Sequence, residues 1–129
     1  MNQFLGQIAL IVANYDEAIA YYTKTLQFQL LEDTDRGNGK RWVRVRPKGE
    51  GGCEILLAQA KNEAQMEYVG KQGGGRVFLF LYTDDFDRDY LHMKSMDVDF
   101  VEEPRIEPFG KVVVFKDLYG NKWDFIENR

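Results

Sequence analysis

A single cysteine, Cys53, stands in this chain, so no internal disulfide can form. It falls inside an expected strand and reads as a small core or half-buried residue rather than a reactive thiol. Histidine is equally scarce: His92 is the only one, and it lies within an expected helix. That placement leaves no Ser-His-Asp or Cys-His arrangement for nucleophilic catalysis. No apolar run reaches the length of a membrane span, and no charged-then-apolar leader precedes Gln3, so a cytoplasmic protein without a membrane partner is expected. A basic excess is missing too. The net charge is −4, against the basic face that nucleic acid requires. The glycine run Gly70-Lys-Gln-Gly-Gly-Gly75 has the wrong spacing for a phosphate-binding loop and leads into a strand, not a helix.

What is present is a chain of 129 residues, 44% hydrophobic and 14% aromatic, enough to bury a core. Phe4–Val12 alternates as a strand, with Gln7, Ala9 and Ile11 on one face. Asn14 is suited to cap a helix over Tyr15–Leu26, where Ile19, Tyr22 and Leu26 recur at helical spacing. Short strands are expected at Phe28–Leu31, Lys40–Arg46 and Cys53–Ala58, separated by turns at Asp33–Gly39 and Pro47–Gly52. In Lys40–Arg46, Trp42 and Arg44 share the face opposite Val43 and Val45. Asn62–Val69 is expected to hold a short helix before the flexible Gly73–Gly75.

The second half repeats the first. Arg76–Tyr82 is a continuous apolar strand, expected to be covered on both faces. Thr83-Asp84-Asp85 caps a helix over Phe86–Met96, and Val98–Val101 is a strand. Pro104–Gly110 is a turn, and Val112–Phe115, the turn Asp117–Asn121 and Lys122–Ile126 form a closing hairpin. Alternation places Lys122, Asp124 and Ile126 on one face and Trp123 and Phe125 on the other. Both halves therefore read β-α-β-β-β. Tyr15-Asp16 corresponds to Phe86-Asp87, and Leu26–Leu30 to Met96–Phe100. The expected fold class is α+β: two tandem βαβββ modules, residues 1–60 and 76–129, joined by a linker at 61–75 within one structural domain. Neither half can bury both faces of its sheet alone. Side by side, with helices outside, they are expected to form a curved, cup-like mixed sheet.

Three passages carry a resemblance. They are Ile8–Tyr22 followed by Leu26-Gln-Phe28, Phe80-Leu-Tyr-Thr-Asp-Asp-Phe86, and the closing Phe115-Lys-Asp-Leu-Tyr-Gly-Asn121. With the paired modules they resemble the vicinal oxygen chelate superfamily, the group of glyoxalase I, bleomycin- and fosfomycin-resistance proteins and extradiol dioxygenases. Leu118 stands where that group's closing turn usually has proline. The resemblance implies four site positions, one from each of four strands, which fall on Gln7, Glu54, Arg76 and Asp124. It also implies a homodimer.

Gln7, Glu54 and Asp124 are oxygen donors that could suit one divalent ion. Arg76 cannot ligate, because a guanidinium has no lone pair and stays charged. It is expected instead to pair with Glu54 or Asp124 and to replace the ion. No histidine is available for a zinc, iron or nickel site of the family type. The leading expectation is a small-molecule-binding protein with a metal-free cup and no cofactor, in which Trp42, Arg44, Arg76 and Gln7 face an anionic or aromatic ligand. The alternative is a glyoxalase-like lyase or isomerase with a divalent metal on Gln7, Glu54 and Asp124, where Glu54 or Asp124 removes a proton beside a metal-polarised carbonyl. A satisfied polar network without chemistry, in a structural or regulatory domain, stays open beside both.

Overall fold

The computed structural model describes residues 1–128, which divide into two compact units, Met1–Val69 and a second that begins at Gly70. The first unit runs β1 (Gln7–Val12), α1 (Tyr15–Ala20), β2 (Gln29–Gly37), β3 (Lys40–Arg46), β4 (Glu54–Gln59) and α2 (Glu63–Met66). Its sheet has the order β1-β4-β3-β2, with β1 parallel to β4 and the other pairs antiparallel. The parallel pair needs a crossover, and α1 supplies it. Leu10 and Val12 of β1, Val43 and Val45 of β3, and Ile55 and Leu57 of β4 are buried, together with Tyr15, Ala18 and Tyr22 of the helical segment. β1, β3 and β4 thus bury alternate residues toward the helix and turn the others to the opposite face.

The second unit runs β5 (Val77–Tyr82), α3 (Phe86–Ser95), β6 (Asp99–Phe100), β7 (Arg105–Glu107), β8 (Gly110–Lys116) and β9 (Lys122–Asn128). Its sheet order is β5-β9-β8-β6, with β5 parallel to β9 and β7 also paired to β8. Phe86 lies 5.1 Å from Phe125 between ring centroids, and Tyr90 meets Phe100 at 4.8 Å with the rings tilted by 57°. These contacts seat α3 on the face that carries Val113, Phe115, Trp123 and Phe125, all buried.

The repeat read from Tyr15-Asp16 and Phe86-Asp87 has a physical content. In the first unit the Gln59 side-chain oxygen accepts from Tyr15 N at 2.9 Å. In the second the Glu127 carboxylate accepts from Phe86 N at 2.8 Å. Each satisfies a helix N-terminal N–H from the last strand of its sheet. Arg41 covers the Tyr15 ring at 5.1 Å and bridges Asp16 at 2.9 Å; Lys111 covers the Phe86 ring at 5.0 Å and bridges Asp87 at 2.7 Å. The same aromatic-acid pair therefore takes a cation from a strand in both units.

Several boundaries differ from the sequence reading. β1 starts at Gln7, and Phe4 and Leu5 before it are exposed. The helix over Tyr15–Leu26 is α1 followed by a π-helical turn, Tyr21–Thr25. β2 continues through the polar Asp33–Gly37, because the reversal needs only Asn38 and Gly39, at φ 57° and 79°. Positive φ at both central residues is the two-residue hairpin geometry that Asn-Gly favours. Cys53 lies one residue before β4 and is exposed, since Gly51 and Gly52 hold the turn at positive φ up to that point. β7 occupies part of the expected Pro104–Gly110 turn, so β6 and β7 together take the edge that β2 fills in the first unit. Pro104, without an N–H, stands between them. Arg76 precedes β5 instead of opening it. That strand is not covered on both faces in the chain: Phe80 and Tyr82 are each 58% exposed. Among the described residues, no helix is long and apolar enough to cross a membrane.

Candidate functional site

On the sheet face opposite α1, the first unit carries a chain of polar side chains. Gln7 and Glu54 are direct partners in the β1–β4 register, so both point to this face. The Arg44 guanidinium donates from Nη1 to Glu54 Oε1 at 2.6 Å and from Nε to Glu32 Oε1 at 2.9 Å. Thr34 donates its hydroxyl to the other Glu32 oxygen at 2.8 Å. Gln7 Nε2 reaches Glu54 Oε1 at 3.4 Å, a weak contact. Bonds from Arg44 hold the Glu54 carboxyl below the ordinary value of 4.5, and bonds from Thr34 and then Arg44 do the same for Glu32. The two carboxylates in turn raise the Arg44 guanidinium. One guanidinium thus ties β2, β3 and β4 together across the face.

Beside this chain, toward the β2–β3 turn, the same unit holds a cavity of about 430 Å³. Trp42, Leu56 and Ala58 line it, as do Tyr15, Gln59 and Lys61. The Arg36 guanidinium sits 5.9 Å from the Trp42 ring. A volume of this order is in the range of small-ligand pockets, and the lining combines an aromatic wall with a few polar groups.

In the second unit, Asp124 pairs in register with Phe80 of β5 and Val114 of β8. Its carboxyl is raised above the ordinary 3.8, chiefly because it is partly desolvated; the Arg105 charge acts against this and Glu102 adds to it. Arg105 is itself engaged by Glu102 at 2.8 Å and Glu107 at 2.6 Å. Arg76 is exposed, and among the described residues its side chain forms no ion pair or hydrogen bond. The structure therefore brings Gln7, Glu54 and Arg44 together and sets Trp42 in a neighbouring cavity wall. It places Asp124 beside Phe80, with no contact to Arg76. His92 lies in α3 with its Nε2 atom buried and, among the described residues, without a hydrogen-bond partner.

As arranged, Gln7 and Glu54 do not suit a divalent ion. Glu54 Oε1, the oxygen nearest Gln7, already takes a guanidinium hydrogen at 2.6 Å, so an ion there would meet a fixed positive charge. Among the described residues, no three His, Cys, Asp or Glu side chains gather as a metal site requires. Sequence reasoning found the Arg44 and Glu54 faces but missed the cavity. Leu56 and Ala58 share the Glu54 face by alternation, and that was the available signal.

Comparison with known proteins agrees with the fold. The family described as the Glyoxalase/Bleomycin resistance protein/Dioxygenase superfamily matches residues 4–125, and the chain belongs to it. An uncharacterized protein of Shewanella frigidimarina is 49% identical over 128 residues, covering 98% of this chain and 95% of that one. Among solved structures, UcmS2 is similar at 28% identity and a TM-score of 0.83, with 98% of both chains covered. TnmS3, an antibiotic binding protein from Streptomyces sp. CB03234, is similar at 25% identity and a TM-score of 0.80, covering 99% of this chain and 98% of that one.

Proposed function

We propose that this protein binds a small organic molecule without a metal, seating a flat part of it against Trp42 in the cavity of the first unit. The observation that carries the reading is the cavity itself: about 430 Å³, walled by Trp42, Leu56 and Ala58 and edged by polar side chains. The similarity to TnmS3, an antibiotic binding protein, supports a binding role. The metal-free part rests on chemistry. Arg76 stands at a position where metal-using relatives supply a ligand, and it has no lone pair to give. Arg44 already donates to Glu54 Oε1 at 2.6 Å. In this reading Arg44 supplies beside Glu54 the positive charge that a metal would supply there. The proposal includes a cytoplasmic location and a homodimer. The lone exposed Cys53 suits the first, and the exposed Phe80 and Tyr82 suit the second.

The test is fluorescence titration with N-phenyl-1-naphthylamine, a neutral, flat aromatic probe. Saturable binding at one site per chain is expected in the wild type. Trp42→Ala is expected to weaken it about tenfold or more, as loss of an aromatic wall does at a binding centre. An unchanged affinity in Trp42→Ala, with the fold intact by circular dichroism, would count against this cavity as the site.

A further inference from the structure

The cavity lining reverses the charge of the chain. The protein carries 21 acidic and 17 basic residues, yet Lys40, Arg41 and Lys61 line the cavity and no Asp or Glu does. Arg41 is committed elsewhere, to Asp33 at 2.7 Å and Asp16 at 2.9 Å. Lys40 and Lys61 are not: among the described residues neither ammonium has a carboxylate partner. They arrive from opposite sides in sequence. Lys40 opens β3 at the hairpin turn, and Lys61 follows the end of β4. The Lys61 backbone is fixed, because its N–H donates to Gln65 Oε1 at 3.0 Å. Two lysines without a carboxylate partner on the lining of a cavity walled by Trp42, Leu56 and Ala58 attract an anion. Their flexible stems act as point charges and accept carboxylate, sulfonate or phosphate alike.

We infer that the cavity selects organic anions: a flat apolar body against Trp42, Leu56 and Ala58, with its anionic group held by Lys40 and Lys61. The inference rests on the small-molecule reading above and adds the ligand's charge. It also assigns two specificity residues that stand on no strand position implied by the family resemblance. Because both lysines are exposed, their attraction works partly through solvent and weakens with salt.

Two probes with one ring system separate charge from shape. N-phenyl-1-naphthylamine is neutral, and 8-anilinonaphthalene-1-sulfonate adds a sulfonate to the same skeleton. At low ionic strength the sulfonate is expected to bind the wild type roughly tenfold more tightly, a preference that narrows as salt is added. In Lys40→Gln/Lys61→Gln the sulfonate is expected to lose its advantage, so that the ratio of the two probes' affinities falls to about one. Equal affinities in the wild type would overturn the anion inference and leave the binding cavity standing. So would a preference that survives the double substitution, or sulfonate binding that Trp42→Ala does not weaken. Failure of both probes to bind would remove the small-molecule reading, and this inference with it.

Discussion

The buried carboxylate of Asp117 accepts from the backbone N–H groups of Tyr119, Gly120 and Asn121, from the Asn121 amide, and from the Trp123 indole at 3.0 Å. These bonds hold the closing turn with Leu118 and no proline in it: the turn is fixed by an acceptor side chain, not by a locked φ. Asp117→Ala strands these donors in a buried turn and is expected to cost about 3 kcal/mol in urea denaturation. Arg44 acts differently, since its partners are half exposed. Glu32 and Glu54 have folded-state values below 4.5, so they contribute stability above that pH, and the contribution is lost as pH falls through the depressed values. Arg44→Met removes the cation that depresses both. Its midpoint of thermal unfolding should therefore fall less steeply than the wild type's between neutral pH and the acid range. Asp124 has the opposite sign. Its folded value is raised above 3.8, so ionisation weighs against the fold as pH rises through that value. Asp124→Asn is expected to raise the unfolding midpoint at pH 7, with the gain shrinking toward acid pH. A gain that does not depend on pH would separate Asp124 from this cause.

At the level of elements, most of the fold was legible because its strands alternate. Val43 and Val45 against Trp42 and Arg44, and Trp123 and Phe125 against Asp124, divide between faces in the structure as they do in the sequence. Less legible were the pieces set by tertiary contact. The polar Asp33–Gly37 looks like a turn, yet it pairs with β3 out to the Gly37–Lys40 register. β7 is three residues long, too short to carry a periodicity of its own. β5 reads as doubly covered because it is uniformly apolar, but it is an edge strand with one long open side. The two hairpins make contrasting predictions. At Gly39 an added Cβ meets nothing within 4 Å, and only φ 79° opposes alanine, so Gly39→Ala should cost about 1 kcal/mol. At Gly110 the added Cβ would lie 2.0 Å from the Glu127 carbonyl oxygen across the β8–β9 ladder, at φ 150°. Gly110→Ala should therefore cost roughly 3 kcal/mol or more, or prevent folding, because backbone must move. Urea titrations of the two variants read the difference directly.

For the whole molecule, family membership was written in three passages that span nearly the full chain, and the match over residues 4–125 agrees with them. The site was only partly written. Gln7, Glu54 and Arg44 could be placed on one face by counting residues. The cavity could not, because its lining comes from Tyr15, the β2–β3 turn, the end of β4 and the segment after it, which no periodicity links. The proposed binding at that cavity needs no metal. The most direct test is titration of N-phenyl-1-naphthylamine into protein purified without chelator, and into the same protein after exhaustive EDTA dialysis, with metal content measured on both. Saturable binding with the same affinity in both samples is expected, with no stoichiometric divalent ion in the first. A stoichiometric divalent ion, together with binding that disappears on chelation and returns when the ion is restored, would contradict it.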